Sequence, residues 1–290
     1  MTGFYIIDKP AGWTSHDVVA RVRRLAGQKR VGHTGTLDPD ATGVLLVCIG
    51  QATRLIEYTE GHHKVYEAKL TLGVETDSQD ASGAVVGERD ASGVTEAALR
   101  EAAARLTGDI LQIPPMVSAV HHEGQRLYEL ARQGIVVERK PRPVTVYRLD
   151  VESFTPGPRA AAALTVECSA GTYVRTLCHD IGEALGVGGH MAALRRTAVG
   201  PFGESHAVSL EALAEEGAVS LCLQSVDRLL PDWPVIEGSD TQNADVGHGK
   251  VISADVPGEW ASFRYNGRLR AILHREGEDW HPAKVLPNEA

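Results

Sequence analysis

A glycine-rich polar segment holds the side chains of this chain that are best suited to chemistry. It reads Val31-Gly-His-Thr-Gly-Thr-Leu-Asp-Pro-Asp-Ala-Thr-Gly-Val-Leu45. Glycines at 32, 35 and 43 permit backbone geometries closed to other residues, and Pro39 fixes the chain directly after Asp38. The pattern predicts a tight turn that presents the Asp38 carboxylate at a cleft, where it could act as a nucleophile. The alternative is an ordinary surface turn before a buried strand.

Two other kinds of chemistry can be considered for the same turn. Asp38-Pro-Asp-Ala-Thr42 fits the DxDxT pattern of magnesium-dependent phosphoryl transfer through an aspartyl-phosphate. In such enzymes the nucleophile ends a hydrophobic strand, whereas here the apolar run Val44–Ile49 follows the carboxylate. His33, Asp38 and Asp40 are a weak ligand set for a metal, and the glycines are not followed by the Gly-Lys-Ser/Thr of a P-loop. We therefore expect neither a metal nor a cofactor.

A second polar cluster lies where a predicted strand meets a predicted helix, in Ser169-Ala-Gly-Thr-Tyr-Val-Arg-Thr-Leu177. Arg175 in this cluster could pair with Asp38, because a guanidinium favours the ionised carboxylate and its planar fork fixes direction. Tyr66 and Tyr173 supply aromatic faces of the kind on which unstacked nucleic-acid bases stack. Each of these residues could equally have a purely structural role.

Composition limits the classes of protein to consider. The chain has 290 residues, 43% hydrophobic and 23% charged, which is typical of a globular protein with a large core. Its longest apolar run is far shorter than a membrane span, and its N-terminus has no signal or transit pattern, so a cytoplasmic location is expected. Cysteines 48, 168, 178 and 222 show no CxxC or zinc spacing and are expected to be reduced. No heptad pattern demands association, so a monomer without an obligate protein partner is expected.

The net charge of −9 argues against indiscriminate nucleic-acid binding, which depends on summed attraction to phosphates. A negative net charge is still compatible with local basic faces on the surface. The candidate clusters are Arg21, Arg23, Arg24, Lys29 and Arg30; Arg139, Lys140 and Arg142; and Arg195 and Arg196.

The order of elements predicts an α+β fold with a mixed or antiparallel sheet. Helices are expected after Thr14 or Ser15, after Thr95, over 125–133 and after Gly171, and strands over 44–49, 65–72, 144–151 and 164–170. From about Trp233 the chain changes to short strands, with a hairpin signal at Tyr265-Asn-Gly-Arg268. We therefore expect a catalytic domain over 1–232 and a small β domain over 233–290.

Eight collinear motifs between the N-terminus and about Phe202 give the chain a family resemblance. They are Lys9-Pro-x-Gly-x-Thr-Ser15, Gly32-His-Thr-Gly-x-Leu-Asp-Pro-x-Ala-Thr-Gly43, Tyr66-x-Ala, Leu72-Gly-x-x-Thr-Asp-Ser-x-Asp80, Pro114-Pro-x-x-Ser-Ala119, Arg126-x-Tyr-Glu-x-Ala-Arg-x-Gly134, Gly171-Thr-Tyr-x-Arg175 and Leu194-Arg-Arg-Thr197. With these motifs the chain resembles the TruB-type tRNA pseudouridine synthases, which convert the T-loop uridine at position 55 of tRNA to pseudouridine.

The resemblance implies a site and an architecture. Asp38 would be the nucleophile, Arg175 its ion-pair partner, and Tyr66 the ring that stacks on the target base and relays a proton. The substrate-binding residues would be His33, Tyr173, Leu194, Lys9, Arg126, Arg195 and Arg196. Residues 114–140 would be an RNA-clasping insertion and the tail a PUA-like RNA-binding domain. His121 stands where relatives often carry lysine, which would weaken RNA binding by the insertion or make it depend on pH.

The implied reaction fits the residues. A uracil that is detached, rotated and rejoined through carbon must be unstacked and held in a closed pocket, and an Asp can divide the step through a covalent adduct. Whether Asp38 adds to the ribose, adds to the uracil or removes a proton on a glycal route stays open in the sequence. The implied partner is the T-arm of tRNA. A non-catalytic tRNA-binding module is the competing hypothesis.

Overall fold

The computed structural model describes residues 1–59, 61–118, 120–122 and 124–287. In chain order its strands are β1 Gly3–Lys9, β2 Val31–His33, β3 Thr42–Ile49, β4 Lys64–Leu72, β5 Val74–Thr76, β6 Val85–Glu88, β7 Gly108–Gln112, β8 His121–His122, β9 Gln125–Arg126, β10 Arg142–Thr155, β11 Ala161–Cys168, β12 Gly189–Val199, β13 Phe202–Gly203, β14 Val235–Glu237, β15 Ile252–Ser253, β16 Trp260–Tyr265, β17 Arg268–Glu276 and β18 Asp279–Val285.

The α-helices are α1 Ser15–Leu25, α2 Glu96–Ala104, α3 Leu127–Arg132, α4 Val174–Ala184, α5 Leu210–Leu213, α6 Ala218–Leu221 and α7 Asp240–Gly247. Short 3-10 helices span Gly50–Thr59, Glu204–His206 and Val226–Leu229.

The central sheet has nine strands, seven of them in the order β1-β3-β12-β4-β11-β10-β7, with β2 paired to β3 and β13 paired to β12. Most neighbours are antiparallel, but β12 runs parallel to β3 and antiparallel to β4. The sheet is therefore mixed, as predicted. Strand β12 lies between β3 and β4, and its Arg196 pairs with Gly43 of β3 on one side and with Tyr66 of β4 on the other. The end of the Asp38 turn is therefore level with Tyr66, one strand away.

Local sequence explains α1. The Thr14 side chain caps it by accepting a hydrogen bond from the Asp17 backbone N–H. The Asp17 carboxylate in turn accepts a hydrogen bond from the Thr14 backbone N–H, which completes a capping box. Val18, Val19 and Val22 are buried against the alternate residues of β1 and β3. The predicted helix is confirmed.

The two halves of the sheet are covered differently. Strands β1 and β3 are buried on both faces, by α1 on one side and by the segment Gly50–Thr59 and part of the C-terminal sheet on the other, which accounts for their continuous apolar runs. On β4 the residues Tyr66, Ala68, Leu70 and Leu72 face a core roofed by α2 and α4, whereas Glu67 and Lys69 are exposed. This alternation was predicted.

The C-terminal region forms a second sheet of five strands in the order β14-β16-β17-β18-β15, with its own core around Phe263 and Trp280. Asn266 and Gly267 form its hairpin turn with φ of 52° and 69°, the left-handed geometry that an Asn-Gly turn favours. Leu269 and Ile272 on β17 share a hydrophobic cluster with Phe4 of the central sheet. The predicted α+β class with a small C-terminal β unit is confirmed.

One expectation about the elements needs adjustment. The helix expected over 125–133 is shorter, Leu127–Arg132, because Gln125 and Arg126 pair with His121 and His122 as a small hairpin. Ala119 and Glu123 of the predicted insertion lie outside the described residues. The four cysteines are free thiols, as expected.

Candidate active site

A buried lysine binds the backbone of the turn that carries Asp38. Lys9 at the end of β1 is fully buried, and its Nζ donates to the carbonyl oxygens of Pro39 at 2.8 Å, Pro10 at 2.9 Å and Trp13 at 2.5 Å. Burial lowers the Lys9 pKa to about 8, against the opposing effect of the nearby Asp40 and Asp38. Lys9 therefore ties the turn after Asp38 to the start of the chain.

A buried arginine holds the other side of the same turn. Arg196 on β12 is 1% exposed, and its Nε donates to the Val44 carbonyl at 2.7 Å while Nη2 donates to the Gly35 carbonyl at 3.1 Å. Gly43 has a φ of 100°, and a Cβ there would lie 2.2 Å from the Arg196 carbonyl oxygen. Glycine is therefore required where the turn meets β12.

Asp38 faces two charged groups that come from distant parts of the chain. The Asp38 Oδ2 lies 3.4 Å from Arg175 Nη1, and the same Nη1 donates to Asp80 Oδ2 at 3.1 Å. Arg175 Nη2 donates to the Val117 carbonyl at 2.7 Å. The Arg175 side chain is 5% exposed, compared with 38% for Asp38. One guanidinium thus joins a cleft-facing carboxylate, a half-buried carboxylate and the predicted insertion.

The two carboxylates differ in their environments. Burial raises the pKa of Asp38, with Arg175 acting in the opposite direction and Asp80 adding to the increase. Burial also favours neutral Asp80, but hydrogen bonds from Ser82 and Ser78 outweigh it and hold the Asp80 pKa below its ordinary value. Asp80 is therefore a fixed anion that orients Arg175, while Asp38 is the carboxylate with access to a ligand.

A cleft of about 530 Å³ opens above this group. Asp38 is the only acidic side chain among the described residues that line it, and Tyr66, Tyr173, Leu194 and Met191 give it an apolar wall. The remaining polar side chains of the lining are Thr34, Thr36, Lys64, Ser118, Arg142, Thr172, Arg175 and Arg196. A flat, partly apolar ligand with a negatively charged backbone would match these walls.

Two tyrosines form part of the cleft wall, one on a strand and one directly before a helix. Tyr66 is 7% exposed on β4, and burial raises its pKa although Arg196 acts against this. Tyr173 precedes α4, and its backbone N–H and carbonyl both bond to the Gln112 side chain, at 2.8 and 3.1 Å. The Arg175 guanidinium lies 5.7 Å from the Tyr173 ring centroid. Gln112 therefore fixes the position of the Tyr173 ring and of the start of α4.

His33 lies at the end of β2, beside the turn and outside the cleft lining. Its ring meets His16 edge-on at 5.5 Å, and its buried Nδ1 has no hydrogen-bond partner among the described residues. Burial, with smaller effects of His16 and Arg196, lowers the His33 pKa to about 4, so this imidazole is neutral near pH 7.

Four of the predicted substrate-binding residues have positions or partners that the sequence did not reveal. Lys9 is fully buried beneath the turn, and the Arg196 guanidinium is taken up by carbonyl groups, because the unpaired carbonyls of an irregular turn need buried donors. Arg195 is held by both oxygens of Asp8 and by Glu204. Arg126 lies in the insertion before α3 and outside the cleft lining.

Other residues at the site were not predicted from the sequence. Asp80 and Ser118 stand in the sequence only as members of two motifs, and the sequence carries no signal for Gln112 and Lys64. Ser118 is 4% exposed, and its Oγ has no partner within the described part of the chain. Its motif, Pro114-Pro-x-x-Ser-Ala119, was the available signal.

Asp40 was the second carboxylate of the phosphoryl-transfer hypothesis. It is exposed and does not line the cleft with Asp38. In the described ranges no three His, Cys, Asp or Glu side chains are grouped so as to hold a metal ion, and no described helix is long and apolar enough to cross a membrane.

Comparison with known families identifies this kind of site. Residues 23–174 match the family model of the TruB family pseudouridylate synthase N-terminal domain, and residues 175–230 match that of the tRNA pseudouridylate synthase B C-terminal domain. Fold and site together are those of a pseudouridylate synthase. The chain belongs to the TruB family. The two matches meet between Val174 and Arg175. Asp38 therefore lies in the first matched segment and Arg175 in the second.

Individual relatives agree over almost the whole chain. The chain is 47% identical to the tRNA pseudouridine synthase B of Arthrobacter sp. (strain FB24), over 99% of this chain and 97% of that protein. It is 46% identical to that of Thermobifida fusca (strain YX), over 98% of each.

A solved structure has the same fold. It is an H/ACA RNP bound to a substrate RNA containing 2′-deoxyuridine, with a TM-score of 0.72 and 26% identity over 98% of this chain and 85% of that chain.

Proposed function

We propose that this protein isomerises the T-loop uridine at position 55 of tRNA to pseudouridine, with Asp38 as the catalytic nucleophile. The observation that carries the proposal is the Asp38–Arg175–Asp80 group at the floor of the cleft, with Arg175 Nη1 at 3.4 and 3.1 Å from the two carboxylates. The relatives named tRNA pseudouridine synthase B, matched over nearly their full length, support tRNA as the substrate.

The reaction breaks the bond between the ribose C1′ and uracil N1 and forms one between C1′ and C5. The hydrogen on C5 leaves as a proton, and N1 takes up a proton, so that the product is an isomer of the substrate. An ionised carboxylate can serve this exchange by adding to C1′, by adding to the ring, or by removing a proton on a glycal route. Arg175 favours the ionised form of Asp38 and fixes its direction in each case. Asp80 keeps Arg175 in place because its own charge is held by Ser78 and Ser82.

The cleft walls are suited to a uracil base that is no longer stacked on its neighbours in the RNA. Tyr66 would stack on the uracil and relay the proton from C5, while Tyr173 and Leu194 would enclose it. His33, neutral and beside the turn, would take up the space that the base leaves. Lys64 and Arg142 in the lining carry charges that can meet the adjoining phosphates.

The remaining parts of the proposal concern architecture and setting. We assign residues 1–232 to the catalytic domain, 114–140 to an insertion that clasps RNA through residues such as Arg126, and 233–290 to a PUA-like RNA-binding domain. The protein acts as a monomer on the T-arm of tRNA in the cytoplasm.

A tritium-release assay tests the function. Unmodified tRNA with tritium at C5 of uridine is incubated with the protein and EDTA, and the tritium released to water is counted. We expect release by the natural protein and none above background with Asp38→Asn, while tRNA binding changes by less than about threefold because only one charge is lost. Retained binding without release by either protein would instead identify a tRNA-binding module. Release that EDTA abolishes would contradict the metal-independent mechanism.

A further inference from the structure

A cluster of exposed cations lies at the C-terminal end of α1, away from the cleft. We call Arg23, Arg24, Lys29 and Arg30 the α1-end patch; all four residues are exposed. The backbone folds the turn after α1 back onto the helix end: the Gln28 N–H donates to the Arg23 carbonyl at 3.2 Å, and Arg23 Nε donates to the Lys29 carbonyl at 3.3 Å. The four cations therefore share one small region of surface.

The patch differs from four other exposed arginines of this acidic protein, which are ion-paired. Arg89, Arg100, Arg105 and Arg159 each lie within 4 Å of a glutamate carboxylate. Within the described part of the chain, no patch residue forms such an ion pair. Asp17, the acidic residue of α1, is at the opposite end of the helix and is bound to Thr14. The patch charge is therefore not cancelled locally.

The position of the patch relative to the cleft is set by α1 itself. At the N-terminal end of the helix, Ser15 exchanges hydrogen bonds with the backbone of Leu37, the residue before Asp38. The helix has 11 residues, so its far end lies about 16 Å from this contact at 1.5 Å per residue. That distance exceeds the reach of a single nucleotide held at Asp38, and it is within the length of a short RNA helix.

We infer that the α1-end patch binds backbone phosphates of the tRNA outside the nucleotide that enters the cleft. This inference rests on the proposed function. Arginine and lysine contacts to phosphate supply sequence-independent affinity and set the orientation of a nucleic acid. In a chain with a net charge of −9, an unpaired cationic cluster also favours the approach of RNA to this region over the acidic parts of the surface. The patch thus selects the direction in which tRNA docks.

Salt-dependent tRNA binding tests the inference. The variant Arg23→Gln/Arg24→Gln/Lys29→Gln/Arg30→Gln is compared with Arg89→Gln/Arg100→Gln/Arg105→Gln/Arg159→Gln, which removes the same charge from exposed, ion-paired positions. For the patch variant we expect Kd for full-length tRNA to rise at least about tenfold at 50 mM salt, and the slope of log K against log salt to become shallower by about 2 or more. We expect KM to rise in parallel and kcat to stay within about twofold, because the cleft is untouched.

Several results would overturn the inference. One is a patch variant whose Kd and slope match those of the natural protein; another is a control variant with an equal loss. A patch variant that loses binding to anionic vesicles or to an acidic protein, but not to tRNA, would assign the patch to that partner. Equal thermal midpoints of the variants and the natural protein would establish that folding is not the cause. If the natural protein itself fails to convert tRNA, the proposed function fails, whereas conversion with an unaffected patch variant refutes only this inference.

Discussion

Two buried arginines near the same turn illustrate how the partner of a charge decides its role. Arg175 is 4% exposed and Arg196 is 1% exposed, and both contribute to the cleft lining. Arg175 faces the carboxylates of Asp38 and Asp80, whereas Arg196 donates to the carbonyls of Val44, Gly35 and Thr36. We call the first group the floor of the site and the second, together with Lys9, its frame.

Substitutions in the floor and substitutions in the frame are expected to have different effects. In the floor, an arginine between two carboxylates controls the ionisation of the group that meets the substrate, so a change should act on catalysis. In the frame, cations satisfy carbonyls that the irregular turn leaves without backbone partners, so a change should act on stability. The following predictions test this difference, beginning with the largest effect.

Arg175→Gln should lower kcat at least about a hundredfold, because misplacing the nucleophile by about 1 Å costs that much. Arg175 lowers the Asp38 pKa against the effect of burial, so its removal should raise that pKa further. Activity requires ionised Asp38, so the loss of activity on acidification should begin at a higher pH in Arg175→Gln, which a pH profile of tritium release measures. Arg175→Lys keeps the charge and should leave the acidic limb of the profile close to that of the natural protein, although kcat falls; an equal shift in both variants would contradict the explanation.

Arg196→Met should destabilise the fold by about 2–4 kcal/mol, because buried carbonyls lose a charged donor. Urea unfolding measures this. Arg195→Met is the matched control on the same strand: Arg195 is 36% exposed and paired with Asp8 and Glu204, so its loss should cost less than about 1 kcal/mol. Equal losses in the two variants would show that donation to the carbonyls of the turn is not what makes the frame stabilising.

Gln112→Ala probes a support of the floor, since Gln112 is 2% exposed and binds both backbone polar groups of Tyr173. We expect about 1–2 kcal/mol of lost stability and a fall in kcat of a few fold, as Tyr173 and Arg175 share the start of α4. Exposed Gln133→Ala should change neither quantity. A variant with normal stability and normal kcat would show that Tyr173 is positioned by other contacts.

His33 gives the smallest expected effect, a change in how stability depends on pH. Its folded pKa of about 4 lies below the ordinary 6.5, so between these values the unfolded chain takes up a proton that the folded chain does not. Stability from this group is therefore present above pH 6.5 and is lost as pH falls toward 4. His33→Asn should make the urea midpoint less dependent on pH in that window, whereas exposed His248→Asn should not; a slope that persists in His33→Asn would assign it elsewhere.

The elements with strong local signals could be predicted from the sequence. The Thr14 cap with Asp17, the alternation along β4 and the Asn266-Gly267 hairpin each depend on residues within a few positions of one another. Strand β12 was not predicted, although its Leu194-Arg-Arg-Thr197 motif was recognised. Two adjacent arginines do not resemble a central strand, and only pairing with β3 and β4 makes it one.

Sequence by itself determined that Asp38 stands in a constrained turn, because the glycines and the proline around it are local facts. It offered Arg175 only as a possible partner, from its residue type and from the family resemblance. Tertiary structure decided which charges face the cleft. The resemblance implied that Lys9, Arg195 and Arg196 bind substrate. The structure directs them to carbonyls and carboxylates that lie close only after the sheet has formed, and it brings Asp80 to Arg175 in the same way. Hydrogen-bond partners of buried charges are non-local, so residue type alone does not reveal them.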